Sequence, residues 1–141
     1  MTRAIPEELK ANFQLLVGAL HARVQSVMGC VISTVDGRLV SSVVDNEADP
    51  HRLSAMAGSM VALGETIGRE VKIGRSQSVV VSALNGLLLL QRVPSKRDLL
   101  VIGTLARTNA NLGIILYETR NTATAVAAVL DEWLDKFTTA T

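Results

Sequence analysis

Apolar residues at Leu9, Phe13, Leu16, Val17, Leu20, Val24 and Val27 recur at the i, i+4, i+7, i+8 spacing of one helix face, with Lys10, Gln14, His21 and Gln25 off it. The pattern predicts a first helix over about 6–27. Pro6 suits its first turn, and Glu7 and Glu8 complement the positive end of the helix dipole. The runs CVIST and LVSSVV then flank Asp36-Gly37, a tight-turn signal because glycine supplies positive φ at little cost. Two strands are expected, at about 30–34 and 39–44. Asp49-Pro50 reads as a helix cap followed by a first-turn proline, opening a second helix over about 50–71.

Beyond it, QSVVVSAL and LLLLQRV flank Asn85-Gly86, a second hairpin signal. The polar break PSKRD turns the chain into LLVIGTLA, a fifth strand at about 99–106. Asn109 or Asn111 caps a last, long helix. Leu112, Ile115, Leu116, Thr119, Ala123, Val126, Ala127, Leu130, Leu134 and Phe137 mark its inward face. The element order is α-β-β-α-β-β-β-α. Short turns force the last three strands into an antiparallel meander. Five strands with helices on both faces account for runs such as LLLL and VVV, which do not alternate with polar residues.

The second helix departs from the usual amphipathic design. No charged residue occurs from Leu53 to Gly64. Leu53, Ala57, Met60, Gly64, Ile67 and Val71 form one stripe, widened by Met56 and Leu63. Ala55, Ser59 and Ala62 line a second, small-residue side. A surface helix normally carries one apolar stripe and one charged face. Such a helix is either buried on every side within its own domain or covered by another chain. A chain of 141 residues rarely encloses a helix completely. We therefore expect an interface between copies, built from Leu53, Met56, Ala57, Met60, Gly64 and Ile67 together with Val79, Val80 and Val81 of the third strand.

Composition supports that reading and narrows the chemistry. The length fits one domain spanning 1–141. Hydrophobic residues make up 48% of the chain and mean hydropathy is +0.32, which excludes disorder and suggests more apolar surface than one protomer hides. No run approaches the ~20 apolar residues of a membrane span, and the charged N-terminus lacks a signal-peptide core, so a cytoplasmic protein is expected. A net charge of +1 and 3% aromatic residues argue against nucleic-acid binding.

No catalytic or cofactor constellation can be written. One cysteine and two distant histidines give no zinc spacing, and Cys30 alone gives no internal disulfide. Neither a P-loop nor a G-x-G-x-x-G fingerprint occurs, and Ile73-Gly74-Arg75-Ser76 reads as a turn. There is no nucleophile elbow. Cys30 in an apolar strand reads as a buried inert thiol. His21 and His51 read as solvated or capping residues. Two basic clusters remain: Arg69, Lys72 and Arg75 near the end of the second helix, and Arg92, Lys96, Arg97 and Arg107 around the last strand. The first is a candidate rim for an acidic protein partner.

Four segments in order, GCVISTVDGRLVSS, AMAGSMVALGE, SVVVSALNGLLLL and NANLGIILYETR, resemble the Roadblock (dynein light-chain-related) family over about 9–134. The resemblance is to its free-standing bacterial and archaeal members, among them a gliding-motility GTPase regulator. It implies a profilin-like α/β sandwich and a homodimer in which the third strand and second helix pair across a two-fold. It also implies a non-enzymatic regulator of a Ras-like small GTPase, GTPase-activating-protein-like in role but supplying no arginine finger. A light-chain-like scaffold without a GTPase partner is the alternative. A small-molecule sensor is disfavoured, since few polar groups converge on the core. No cofactor, metal or substrate is expected.

Overall fold

The computed structural model describes residues 5–45 and 48–139. The side chains of residues 137–139, Phe137 among them, lie outside that description. Eight elements follow the expected order: α1 Glu7–Arg23, β1 Val27–Thr34, β2 Leu39–Val44, α2 Pro50–Glu70, β3 Ser78–Ala83, β4 Gly86–Arg92, β5 Leu100–Arg107 and α3 Leu112–Thr139. One boundary differs clearly from the sequence reading. The apolar period continues to Val27, but α1 stops at Arg23 because Val24 turns extended. Val27 then belongs to β1, paired with Ala106 of β5. β-Branched valines fit either period, and strand pairing decides between them.

The sheet runs β2-β1-β5-β4-β3, antiparallel throughout. Helices α1 and α3 cover one face. Phe13, Val17 and Leu20 of α1 and Val126 and Leu130 of α3 enclose Cys30, Ile32 and Ile102 there. Helix α2 covers the other, where Ala57 and Val61 meet Leu90 and Val101. Both faces are buried, so β1, β4 and β5 carry apolar residues at successive positions.

The two edges are treated differently. At β2, Gln14 of α1 donates from Nε2 to the Ser42 carbonyl at 2.9 Å. At β3 no such side chain is seen among the described residues. An unguarded edge strand is a template for pairing with another chain.

The turns follow from local chemistry. Gly37 takes φ of +94°, and Thr34 Oγ1 accepts from the Arg38 amide at 2.9 Å. The Thr34 hydroxyl also donates to Asp36, which holds that carboxylate below its usual range. Asp49 caps α2 by accepting from the His51 amide at 2.9 Å, with Pro50 at the first position. Asn111 caps α3 by accepting from the Ile114 amide at 3.2 Å. The second hairpin differs from expectation. Ala83 pairs with Gly86, so Leu84 and Asn85 are the turn residues, and Gly86 opens β4. Gly86 is there because a Cβ at that position would come within 2.7 Å of the Ala106 carbonyl oxygen. The Asn-Gly pair marked the hairpin; packing against β5, not turn geometry, uses its glycine.

After α2 the chain reverses through Lys72, the described non-glycine residue with positive φ, at 59°. An L residue in that region is held against steric preference. Lys72→Gly should raise stability by about 0.5–1 kcal/mol, read as a higher urea midpoint. A lower midpoint would mean that the Lys72 side chain makes a compensating contact.

Candidate functional site

Among the described residues, no cluster of His, Cys, Asp and Glu could hold a metal ion. His21 is engaged with Asp45, Nε2 to Oδ1 at 2.9 Å, fastening the end of α1 to the end of β2. Cys30 is fully buried, and desolvation pushes its thiol up to about 12. Its raised folded value means that the unfolded chain loses this proton first, starting near 9. Stability from this residue is therefore complete below about pH 9 and falls between pH 9 and 12. Comparing urea midpoints at pH 8 and pH 10.5, wild type should lose more stability than Cys30→Ala. Equal losses would mean that the thiol ionises freely in the fold.

The surface that stands out is apolar and open. Met56, Leu63, Ile67 and Val71 of α2 and its end are each more than half exposed, and Ile73 is 79% exposed. At the β3 edge Val81 is exposed on the α2 face of the sheet and Val80 on the α3 face, and Leu84 at the hairpin tip reaches 90%. These residues lie along the uncovered side of α2 and the free edge of the sheet. Apolar exposure concentrated along one helix and one sheet edge marks an interaction site.

The stripe expected along α2 divides in two. Leu53 and Ala57 turn inward, 8% and 1% exposed, and leave the candidate surface. They line the protomer's own core with Val61, while Met60 and Val79 pack partly against it. The stripe was laid one helical position too far round, because α2 is apolar on nearly every side and periodicity alone cannot choose the face that meets the sheet. The small residues also act within the chain. A Cβ on Gly58 would lie 2.9 Å from the Gly37 backbone, and one on Gly64 would lie 2.7 Å from Ser76 Oγ. Close approach is to the protomer's own turns rather than to a second helix. Met56 and Ile67 remain on the open side, with Gly64 half-buried at its border.

The basic clusters separate likewise. Arg75 does not project freely. It pairs with Asp98 and lies 3.4 Å from Glu65. Arg92 sits between the same two carboxylates, bonding Glu65 and reaching Asp98 at 2.7 Å, while its Nε donates to the Ser76 carbonyl at 2.7 Å. Burial acts first on its guanidinium, pulling it below its ordinary range. This four-charge knot ties α2, the approach to β3 and the β4–β5 turn together. Lys96 is drawn to α3, where its Nζ meets Asp135 at 3.1 Å and its amide meets Asp131 at 3.0 Å. Arg69 and Lys72 are exposed beside the apolar surface, and Arg97 and Arg107 are exposed elsewhere. Glu65, Asp98 and Leu84 had no part in the sequence reading. Leu84 carried a signal, an apolar residue placed immediately before Asn-Gly, where turns favour polar side chains.

Between α2 and the start of β3 lies a groove of roughly 520 Å³, lined by Gly64, Ile67, Gly68, Ile73, Ser76 and Val79 among others. Arg120 of α3 also borders it. Helices on opposite faces of the sheet both reach this groove, so it wraps around the open edge. Its walls are mainly apolar and glycine-rich, with Arg75, Ser76, Gln77, Ser78 and Arg120 as the polar lining.

A five-stranded antiparallel sheet in this order, with two helices on one face and one on the other, is the profilin-like sandwich. Profilin II of Acanthamoeba castellanii superposes with a TM-score of 0.53 at 12% identity, covering 86% of this chain and 98% of that one. Within that class the fold is that of Roadblock/LC7 domains. The Roadblock/LC7 domain from Streptomyces avermitilis gives a TM-score of 0.74 at 24% identity, over 83% of this chain and 96% of that one. MglB of Myxococcus xanthus gives 0.77 at 12% identity, over 96% of each chain. No family model and no curated protein matches the sequence. No helix among the described residues is long and apolar enough to cross a membrane.

Proposed function

We propose that the protein is a non-enzymatic, homodimeric regulator or adaptor of a Ras-like small GTPase that works through protein–protein contacts. The observation that carries this reading is the exposed apolar surface along α2 together with the open β3 edge, on a Roadblock/LC7 fold. Two copies joined through Met56, Leu63, Ile67, Val80 and Val81 hide side chains that water otherwise meets. The exposed cations Arg69 and Lys72 then rim a surface suited to an acidic partner. The four sequence segments resembling Roadblock proteins support the GTPase partner.

The test is a pull-down from native cells, with captured proteins identified by mass and repeated with GTP- and GDP-loaded lysate. Nucleotide-dependent recovery of a small GTPase is expected, and the purified protein alone should give no heat with GTP. Recovery of a motor or envelope assembly without any GTPase would replace this reading with that of a structural light chain.

A further inference from the structure

The exposed apolar side chains fall into two sets, and contacts through α2 use only one of them. The other set lies where α3 begins, on the opposite face of the sheet. We propose that this end of the sheet is a docking surface for an acidic amphipathic helix of a partner protein. The apolar side of that helix rests on Leu112, Ile114 and Tyr117, and its carboxylates meet Arg107 and Arg120. Such a partner need not be a GTPase.

Backbone bonds bring the surface together. Gly86 pairs with Arg107, the Arg107 amide donates to the Ser26 carbonyl at 2.9 Å, and the Ala110 amide donates to the Arg107 carbonyl at 3.0 Å. The β3–β4 tip, the α1–β1 connection and the β5–α3 connection are thereby tied at one end of the sheet. Between the two connections lies a recess of roughly 550 Å³. Val24, Ala110 and Ile114 line its apolar side, and Ser26, Arg107 and Asn109 are among its polar residues. Ile114 is 52% exposed, and Tyr117, one helical turn on and the single tyrosine of the chain, is 65% exposed. Leu112 is exposed in the first turn of α3.

The free charges here are positive. No Asp or Glu occurs from Val71 to Arg97 or from Leu99 to Tyr117. Glu118 is engaged by Arg23, and Asp45 at the end of β2 by His21. Arg107 and Arg120 are exposed, and among the described residues neither has an acidic partner. Arg120 lies one turn beyond Tyr117, so a cation stands at each end of the apolar strip. Tyrosine and arginine over an apolar patch are the side chains that anchor protein contacts. The form of the partner follows from what the surface offers. The Arg107 and Ala110 amides are already bonded, so a partner is held by side chains rather than added as a strand, as an amphipathic helix is held. The recess is open rather than enclosed. That suits a protruding side chain better than a small ligand, since ligand pockets bury about 70–90% of their occupant. Two arginines are too few for an anionic lipid surface, which is recognised by clusters of about 4–8 Lys and Arg.

A photoreactive p-benzoylphenylalanine in place of Tyr117 reads the occupant directly. Irradiated in native cells, the full chain should cross-link to one protein segment whose apolar residues recur at helical spacing beside Asp or Glu. That segment, made as a peptide, should bind wild type in fluorescence anisotropy. Arg107→Glu should weaken the binding about tenfold or more, and a peptide with its acids changed to Lys should recover it on that variant. Ile114→Ala should weaken it about tenfold with unchanged circular dichroism, whereas Arg97→Glu, an exposed cation in the β4–β5 turn, should not. A cross-link to a second copy of this chain, to lipid or to a segment without acids would overturn the proposal. So would the absence of any cross-link, or peptide binding indifferent to Arg107→Glu.

Discussion

Gly58→Val should be among the most damaging single changes in this chain, costing about 3 kcal/mol or more. A Cβ at position 58 would stand 2.9 Å from both the Cα and the amide nitrogen of Gly37. The obstacle is backbone, not a side chain that can swing aside. Gly37 is itself fixed, with φ of +94° and its amide donating to the Thr34 carbonyl at 3.0 Å. The turn cannot retreat without losing the Thr34–Arg38 bonds that close the β1–β2 hairpin. Helix α2 must lift instead, loosening Ala57 and Val61 from Leu90 and Val101. Overpacking of this kind costs about 1–3 kcal/mol and occasionally more, and a β-branched residue gains less helix propensity than alanine. Gly58→Ala should be milder, since alanine recovers about 1 kcal/mol of helix propensity. Gly18→Ala is the control. Nothing lies within 4 Å of its added Cβ on α1, so it should stabilise by about 0.5–1 kcal/mol. Urea midpoints of the three variants check the argument. If Gly58→Ala and Gly18→Ala shift stability in the same direction, close approach is not what keeps Gly58 a glycine.

The glycines show where a sequence stops being readable. The order of elements was legible because each rests on local signals: the period of α1, Asp36-Gly37, Asp49-Pro50, Asn85-Gly86 and the Asn111 cap. The class of fold was legible from that order and from four segments resembling a known family. The inner face of α2 was not. Periodicity separates an apolar side from a polar one, and from Leu53 to Gly64 there is no charged residue to mark the outside. Which side meets the sheet was settled by long-range packing, with Gly58 admitted against Gly37 and Gly64 against Ser76. The charge knot was hidden for a related reason. Arg75 and Arg92 look like free cations along the chain, and their partners Glu65 and Asp98 come from α2 and from the β4–β5 turn. Pairs so distant in sequence have no spacing rule.

Leu63→Arg and Ala57→Arg should fail in different ways. Leu63 is 53% exposed on the open side of α2, and Ala57 is 1% exposed against Val61, Leu90 and Val101. In the protomer an arginine at 63 meets water and costs little. In a dimer through α2 and β3 it meets its own copy or an apolar wall, and the two-fold supplies a second one. A buried charge without a partner costs several kcal/mol even after relaxation. Two of them oppose an association free energy that, for a micromolar dimer, is only about 8 kcal/mol. Leu63→Arg should therefore sediment as a 15.0 kDa monomer with unchanged helical circular dichroism. Ala57→Arg should lose the fold, because its charge lands between helix and sheet in every assembly state. Ile67→Arg, also on the open side at 51% exposure, should behave as Leu63→Arg does. Met60→Arg falls between, since Met60 is half-buried and packs partly on the core, and both fold and mass should suffer. If Leu63→Arg and Ile67→Arg stay folded dimers, the open side of α2 is not the contact between copies, and the apolar surface must meet a different protein.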